Sequence, residues 1–198
     1  MDDLILQFCN IDKSFFGVRV LKNISLDIPR GHIVGLIGEN GAGKSTLMNI
    51  LGGVVPLDKG KMLLNGQEYA PRDPSQASEA GIAFIHQELN LFTNLSIAEN
   101  FFINGFPLLG RTPFLDKKHI RAKAQEYMSL VDLELSPDTT VEKLSPGERQ
   151  LVEVAKALSQ DTNLIIFDEP TTSLTARETE RLFSLITRLH NDGKTIIY

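Results

Sequence analysis

Two clusters of residues have the types and spacing to do chemistry. The first is Gly38-Glu39-Asn40-Gly41-Ala42-Gly43-Lys44-Ser45, which satisfies the pattern G-x-x-x-x-G-K-[ST]. Three glycines let the backbone wind tightly and turn its N–H groups inward. Those donors, added to the positive end of a following helix, make a concave anion site, with Lys44 as a point charge on β- and γ-phosphate oxygens. Ser45 supplies a hydroxyl to Mg²⁺, and Thr46 continues the cradle into the helix. The stretch reads as a nucleoside triphosphate site. The second cluster is Asp168-Glu169, which closes the apolar run Leu164-Ile165-Ile166-Phe167. A triphosphate site needs a carboxylate near the Mg²⁺ that bridges the phosphates and a base for the attacking water. Asp168 holds a metal-bound water in this reading, and Glu169, the adjacent residue, polarises the water. Taken alone, the pair also reads as helix-capping acids before Pro170.

The elements that must position these groups can be read from periodicity and turn chemistry. Residues 33–37 form a short apolar run expected to be a buried strand ahead of the loop, and a helix from Thr46 ends at Gly52 and Gly53. Residues 4–10 and 26–28 read as strands of a small β-layer, separated by a turn across 13–21. Residues 61–64 with the Asn65-Gly66 turn form a hairpin element, and 81–85 a buried strand that runs into His86-Gln87-Glu88. From about 89 to 157 the spacing is helical, interrupted by a loop at 104–113. Asp116 caps a helix with Ile120, Ala124, Tyr127 and Val131 on one face, and 133–141 is a connector. The run 164–167 is a fully buried parallel strand that delivers its acids to a ligand crevice. Thr175 to Glu178 is a capping box for a helix with Leu182, Leu185, Ile186 and Leu189 on one face and Gly193 as its stop, after which 194–198 begins a strand.

Composition sets the bounds. The chain has 198 residues, 42% apolar and 23% charged, ordinary for a globular protein. A net charge of −5 without a basic block argues against a nucleic-acid surface, so no nucleic-acid partner is expected. Cys9 is the single cysteine; it forms no internal disulfide and reads as a small buried hydrophobe suited to a reducing compartment. No apolar run approaches the roughly 20 residues of a membrane helix, and Met1-Asp2-Asp3 is acidic where a signal peptide is basic, so a membrane role runs through a partner.

Leu144-Ser145-Pro146-Gly147-Glu148-Arg149-Gln150 resembles the LSGGQ signature of ATP-binding-cassette ATPases. It precedes Asp168 by a short helix and connector as in that family, with Gln87 placed as the Q-loop glutamine between phosphate loop and signature. The resemblance covers essentially all of the chain and is close to the sugar-importer branch: Gly38 to Ser45, Gln87-Glu88-Leu89, Ala98-Glu99-Asn100, and Asp168-Glu169-Pro170-Thr171 leading to Ser173-Leu174-Thr175. It implies an α/β fold: a P-loop NTPase core with a mostly parallel sheet, an N-terminal antiparallel β-layer and an inserted helical subdomain. The core then covers about 1–89 and 158–198 of one nucleotide-binding domain, and the subdomain about 90–157.

The same resemblance implies ATP and Mg²⁺ as ligands. Catalysis falls to Glu169, Gln87 and Lys44, with Ser45, Gln87 and Asp168 around the metal. Phe15, by itself more often a core aromatic, becomes the ring that stacks on the base. Ser145, Gly147 and Glu148 face the γ-phosphate bound by a second cassette in a head-to-tail dimer. The implied setting is the cytoplasmic face of the inner membrane, docked on permease subunits through the Q-loop and helical subdomain, with a periplasmic or extracellular sugar-binding protein as an indirect partner and a monosaccharide as cargo. Two cassettes usually share one longer chain there, which makes this stretch an N-terminal half. A non-transport cassette, such as a translation or DNA-repair ATPase, and a regulatory module without hydrolysis are the rival classes.

Read from its residues alone, Ser145-Pro146-Gly147-Glu148 is a capping box with proline at the first helical position, ahead of a helix with Leu151, Val154, Ala155 and Leu158 on one side. The two readings agree, because the cap presents a helix N-terminus that attracts anions. Pro146 departs from the family's glycine and removes a donor, Glu148 departs from glutamine and adds negative charge, and Thr175 stands where most cassettes carry aspartate. The family's switch histidine falls beyond Tyr198, and neither His32, His86, His119 nor His190 is placed to replace it. The expectation is a C-terminally incomplete cassette that binds ATP, hydrolyses it at or near background, and is left with an incomplete parallel sheet and an unpaired edge.

Overall fold

The computed structural model describes residues 3–85, 90–103, 105–110, 112–160, 162–168 and 175–198. Its elements fall into two compact units: Met1–Phe84 with Thr162–Asp168 and Ile186–Tyr198, and Ile85–Asp161 with Glu169–Leu185.

The first unit opens on a long antiparallel hairpin, β1 (Leu4–Phe15) and β2 (Val18–Pro29). The strands stay paired up to Phe15 opposite Val18, so the expected turn across 13–21 shrinks to Phe16 and Gly17. Both sit at positive φ, 48° and 83°, the dihedrals of a tight two-residue turn whose twist matches that of the strands it joins. Alternation buries Leu6, Phe8, Ile11, Leu21 and Ile28, while Cys9 is half-buried rather than buried because its side chain falls on the opposite face from Phe8.

Chain reversal at Gly31 leads to β3 (Ile33–Val34), which is shorter and more open than the expected buried strand over 33–37. Ile33 is 45% exposed and Ile37 97%. The backbone pairing persists a little further, with Leu36 N–H donating to the Tyr198 carbonyl at 2.7 Å. β3 is an edge strand of its sheet, and the chain leaves it to form the loop that follows, so apolarity alone overstated its burial.

Helix α1 (Lys44–Leu51) packs Leu47, Met48, Ile50 and Leu51 inward and stops at Gly52, whose N–H reaches the Met48 carbonyl at 2.8 Å. β4 (Lys59–Leu64) and β5 (Gln67–Tyr69) follow, joined by Asn65 and Gly66 at φ 52° and 76°. They extend the hairpin into an antiparallel sheet of order β2-β1-β4-β5. Helix α2 (Pro74–Glu79), capped by Asp73, leads into β6 (Ile82–Ile85).

In the second unit, helices α3 (Ile97–Phe101), α4 (Lys117–Leu130) and α5 (Pro146–Leu158) all begin on side-chain caps: Ser96 with Glu99, Asp116, and Ser145 with Glu148. Ala98, Ile120 and Ala124 form its apolar centre with Phe101, Phe102 and Phe106 against them. Tyr127 meets Phe101 edge-on with centroids 5.6 Å apart. Asn100 is fully buried and satisfied, since its amide bonds both backbone groups of Phe92 and the Ser96 carbonyl.

Glu153 of α5 is the costly group of this unit. Its side chain is buried; it accepts from the Asn90 N–H, but among the described residues its Oε1 has no hydrogen-bond partner. Burial pushes its carboxyl up from the usual 4.5, against a smaller opposing pull from Lys156. The fold therefore resists ionisation that the unfolded chain accepts, so stability falls as pH rises through the raised value and stays lower above it. Glu153→Gln is expected to be more stable than the parent by up to about 1 kcal/mol at pH 7 and to lose that advantage near pH 4. Denaturant melts at the two pH values check this, and a variant weaker than the parent at pH 7 would contradict it.

The remaining elements are β7 (Leu164–Phe167), α6 (Ala176–Asn191) and β8 (Thr195–Ile197). All four residues of β7 are buried, as the apolar run required, and α6 buries Leu182, Leu185, Ile186 and Leu189 on one face. The second sheet has the order β3-β8-β7-β6, with β8 parallel to both β3 and β7. β8 thus lies inside the sheet, hydrogen-bonded on both sides, and among the described residues β3 and β6 are its outer strands. One apolar cluster joins Phe8, Ile11 and Met62 of the first sheet, Leu47, Ile50 and Leu51 of α1, and Leu164, Ile166 and Ile197 of the second.

Candidate functional site

Residues 35–43 connect β3 to α1. Ala42 N–H donates to the Glu39 carbonyl at 3.1 Å, and Gly41 and Gly43 take φ of 83° and 94°, which winds the chain into a tight bend over the helix start. Gly43 is buried, and a Cβ there would lie 2.7 Å from Leu21 Cδ2, so glycine is required both for the dihedral and for the approach to β2. Gly38, Glu39, Asn40, Gly41 and Ala42 are exposed, as is Ser45, while Thr46 is half-buried. The helix cap is Gly43; among the described residues no side chain caps the first turn and no acid lies in it. The orphan N–H groups and the positive end of α1 therefore stay free of an internal carboxylate, the condition for holding an external anion.

Lys44 is the first residue of α1, and its ammonium folds back into the bend. Nζ donates to the carbonyls of Gly38 at 2.7 Å and Glu39 at 3.1 Å. The cation and the backbone donors thus converge on one place.

Asp168 follows β7 directly. Because β3 and β7 are both parallel to β8, the loop after β3 and Asp168 after β7 leave the sheet at the same edge. One strand separates them, which sets the two chain exits about 10 Å apart. Ser45 and Asp168 offer hard oxygen donors of the kind Mg²⁺ takes, and one or two such protein ligands suffice when phosphates supply the rest. Among the described residues no group of three or more His, Cys, Asp or Glu side chains is arranged to hold a metal ion.

Phe15 ends β1 and is 37% exposed, so the core placement its residue type favours does not hold. It pairs with Val18, a short step along the ladder from the Lys13–Leu21 pair, and Leu21 is the residue against Gly43. The hairpin end therefore comes to the loop. Lys13 Nζ lies 5.3 Å from the Phe15 ring centroid and is itself paired to Asp58 Oδ1 at 2.8 Å, which stiffens this corner. Hydrogen bonds from Lys13 and from the Ser14 N–H hold the Asp58 carboxyl below its ordinary range.

In the second unit Ser145 and Glu148 cap α5 reciprocally, Glu148 Oε2 accepting from Ser145 N–H at 2.7 Å and Ser145 Oγ accepting from Glu148 N–H at 3.2 Å. The helix buries Val152, Glu153, Val154 and Ala155, while Leu151 and Leu158, expected on the packed side, are half-buried. The stripe is wider than the apolar pattern because polar Gln150 and Glu153 share the interior. Ser145 is exposed and Gly147 buried. Gln87 and Glu169 lie outside the described residues.

Residues 21–172, more than half of the chain, match the family model described as ABC transporter. The chain belongs to the ABC transporter family. This cassette is 43% identical over 195 residues to the ribose import ATP-binding protein RbsA of Shouchella clausii, an alignment covering 98% of the chain and 39% of that protein. It is 43% identical over 197 residues to the arabinose import ATP-binding protein AraG of Mannheimia succiniciproducens, covering 98% and 38%. The chain thus spans about two fifths of the length of these relatives. Among solved structures it resembles a nucleotide-free ATP-binding cassette from an ABC transporter, with TM-score 0.85, 25% identity and coverage of 98% of this chain and 80% of that one. It also resembles the dimeric post-hydrolysis state of the cassette MJ0796 bound to ADP and Pi, with TM-score 0.81, 27% identity and coverage of 97% and 86%. The α/β fold with its P-loop core is that of these cassettes.

One contact of the cassette escaped the sequence reading. Glu178 closes the capping box of α6, with Oε2 accepting from Thr175 N–H at 2.9 Å and Oγ1–H at 2.7 Å, and its carboxylate also accepts from the backbone N–H of Gly147. The Thr-x-x-Glu spacing signalled the cap; nothing local signalled the partner on α5.

Proposed function

We propose that this cassette binds Mg-ATP at residues 38–46 and hydrolyses it to energise import of a monosaccharide through a membrane permease. The observation that carries the reading is the uncapped start of α1, where free backbone donors and the Lys44 ammonium converge at the sheet edge that also carries Asp168. The β- and γ-phosphates take the backbone N–H groups of the bend, and Lys44 shifts from two carbonyls to phosphate oxygens. Phe15 receives the base. Ser45, Asp168 and Gln87 hold Mg²⁺, which neutralises charge on the phosphates when bound. Glu169 accepts the proton of the attacking water, oriented by Gln87. Ser145, Gly147 and Glu148 meet the γ-phosphate of a second cassette; that the related cassette MJ0796 is dimeric supports such a partner. The chain is one nucleotide-binding domain, with a core of about 1–89 and 158–198 and a helical subdomain of about 90–157.

The names of the ribose and arabinose import relatives support the cargo class. Permease subunits and, indirectly, a periplasmic or extracellular sugar-binding protein are the partners proposed with it. No helix among the described residues is long and apolar enough to cross a membrane, which fits a subunit held peripherally at the cytoplasmic face by its permease. The test is solute uptake by vesicles containing the permease and this protein, with ribose and arabinose tried first. Uptake that requires Mg-ATP and disappears with ADP is the expected result. ATP turnover with no permease association and no uptake of any monosaccharide would favour a non-transport cassette.

A further inference from the structure

Glu178 stands where two helices begin. One carboxylate oxygen takes both donors of Thr175 at the start of α6, and the carboxylate reaches across to the N–H of Gly147, the second residue of α5. Gly147 has no positive φ to justify a glycine; a Cβ there would collide with the Glu178 carboxylate, so the missing side chain is what lets the acid in. Three donors converge on one acceptor-only group lying at the positive ends of two helix dipoles. Thr175 first, then Gly147 and the nearby Arg181, hold this carboxyl below its ordinary range.

We propose that Glu178 is a positioning residue for the phosphate site shared between two cassettes: it clamps the start of α5, which carries Ser145, Gly147 and Glu148, to the start of α6. The proposal rests on the reading of that α5 terminus as a phosphate contact. The clamp fixes the start of α5 against the start of α6. A displacement of that start misplaces Ser145 and the first turn of α5 for the partner's γ-phosphate without touching the ATP in this cassette's own loop. Aspartate is one methylene too short to span both termini, and glutamine keeps the span but replaces one acceptor with a donor.

The test compares, in a chain extended past Tyr198, the parent protein with Glu178→Gln, Glu178→Ala, Gly147→Ala and the double variant Gly147→Ala/Glu178→Ala. ATP affinity, kcat, KM and thermal unfolding are measured for each. Glu178→Ala is expected to lower kcat about tenfold with ATP affinity at the phosphate loop nearly unchanged, since small misplacement of a reacting group acts on rate rather than on distant binding. Glu178→Gln should fall between the two. Gly147→Ala should lower kcat at least as far, and the double variant no further, because both substitutions break one contact. Glu178→Gln with parental turnover and parental unfolding overturns the proposal, as does multiplication of the two single effects on kcat. Coupling between the two positions in unfolding with no change in kcat also overturns it, because the contact is then structural only. A parent whose turnover does not depend on Lys44 overturns the functional reading instead, and the two failures are told apart by that control.

Discussion

Lys44→Ala is expected to lower ATP affinity by about ten- to more than a hundredfold, the equivalent of the roughly 1.5–3 kcal/mol that a charge-assisted hydrogen bond to phosphate contributes. The ammonium is held within the bend, 2.7 Å and 3.1 Å from two loop carbonyls, which limits the side-chain freedom lost on binding, while exchanging those carbonyls for phosphate oxygens offsets part of the gain. No other cation of the first turn of α1 can take over, since that turn continues Ser45-Thr46-Leu47. Titration calorimetry with Mg-ATP measures it. A folded alanine variant with parental affinity would remove residues 38–45 as the phosphate site.

In a chain extended past Tyr198, Glu169→Gln is expected to slow ATP turnover by about 10²–10⁴ while leaving nucleotide binding intact, the usual penalty for removing a general base. The argument joins sequence to fold. β7 is fully buried and parallel to β8, so its C-terminal exit delivers Asp168 to the end of the sheet where the phosphate loop begins, and Glu169 is the next residue in the sequence. The proposed division of work gives the metal to Asp168 and the water to Glu169. Asp168→Asn should accordingly raise the Mg²⁺ concentration needed for half-maximal turnover and spare Mg-independent nucleotide contacts. Steady-state phosphate release across an Mg²⁺ series separates the two variants. Parental turnover by Glu169→Gln would show that another group takes the proton.

The loop, its helix and the acidic strand were legible because each is a local pattern: glycine spacing, a 3.6-residue stripe, an apolar run closed by charge. The caps at Asp116, Ser145 and Thr175 were legible for the same reason. What failed was non-local. Residues 33–37 are apolar enough for a core strand, but exposure depends on which neighbours a strand pairs with, and β3 pairs on one side only. The place of the final strand inside its sheet, paired with both β3 and β7, is set by chain crossovers that no residue pattern announces. Phe15 looked like a core residue by type, and its position at a hairpin end decides otherwise. Gly147 resembled one more signature glycine until Glu178, far along the chain, was seen to occupy the space beside it.

The measurement that bears most directly on the account is the structure of the protein with Mg-ATP bound. The account predicts phosphates within the bend of residues 38–45, the Lys44 ammonium moved off the Gly38 and Glu39 carbonyls onto phosphate oxygens, and the base against Phe15. Nucleotide bound elsewhere, with Lys44 still on the two carbonyls, would contradict it.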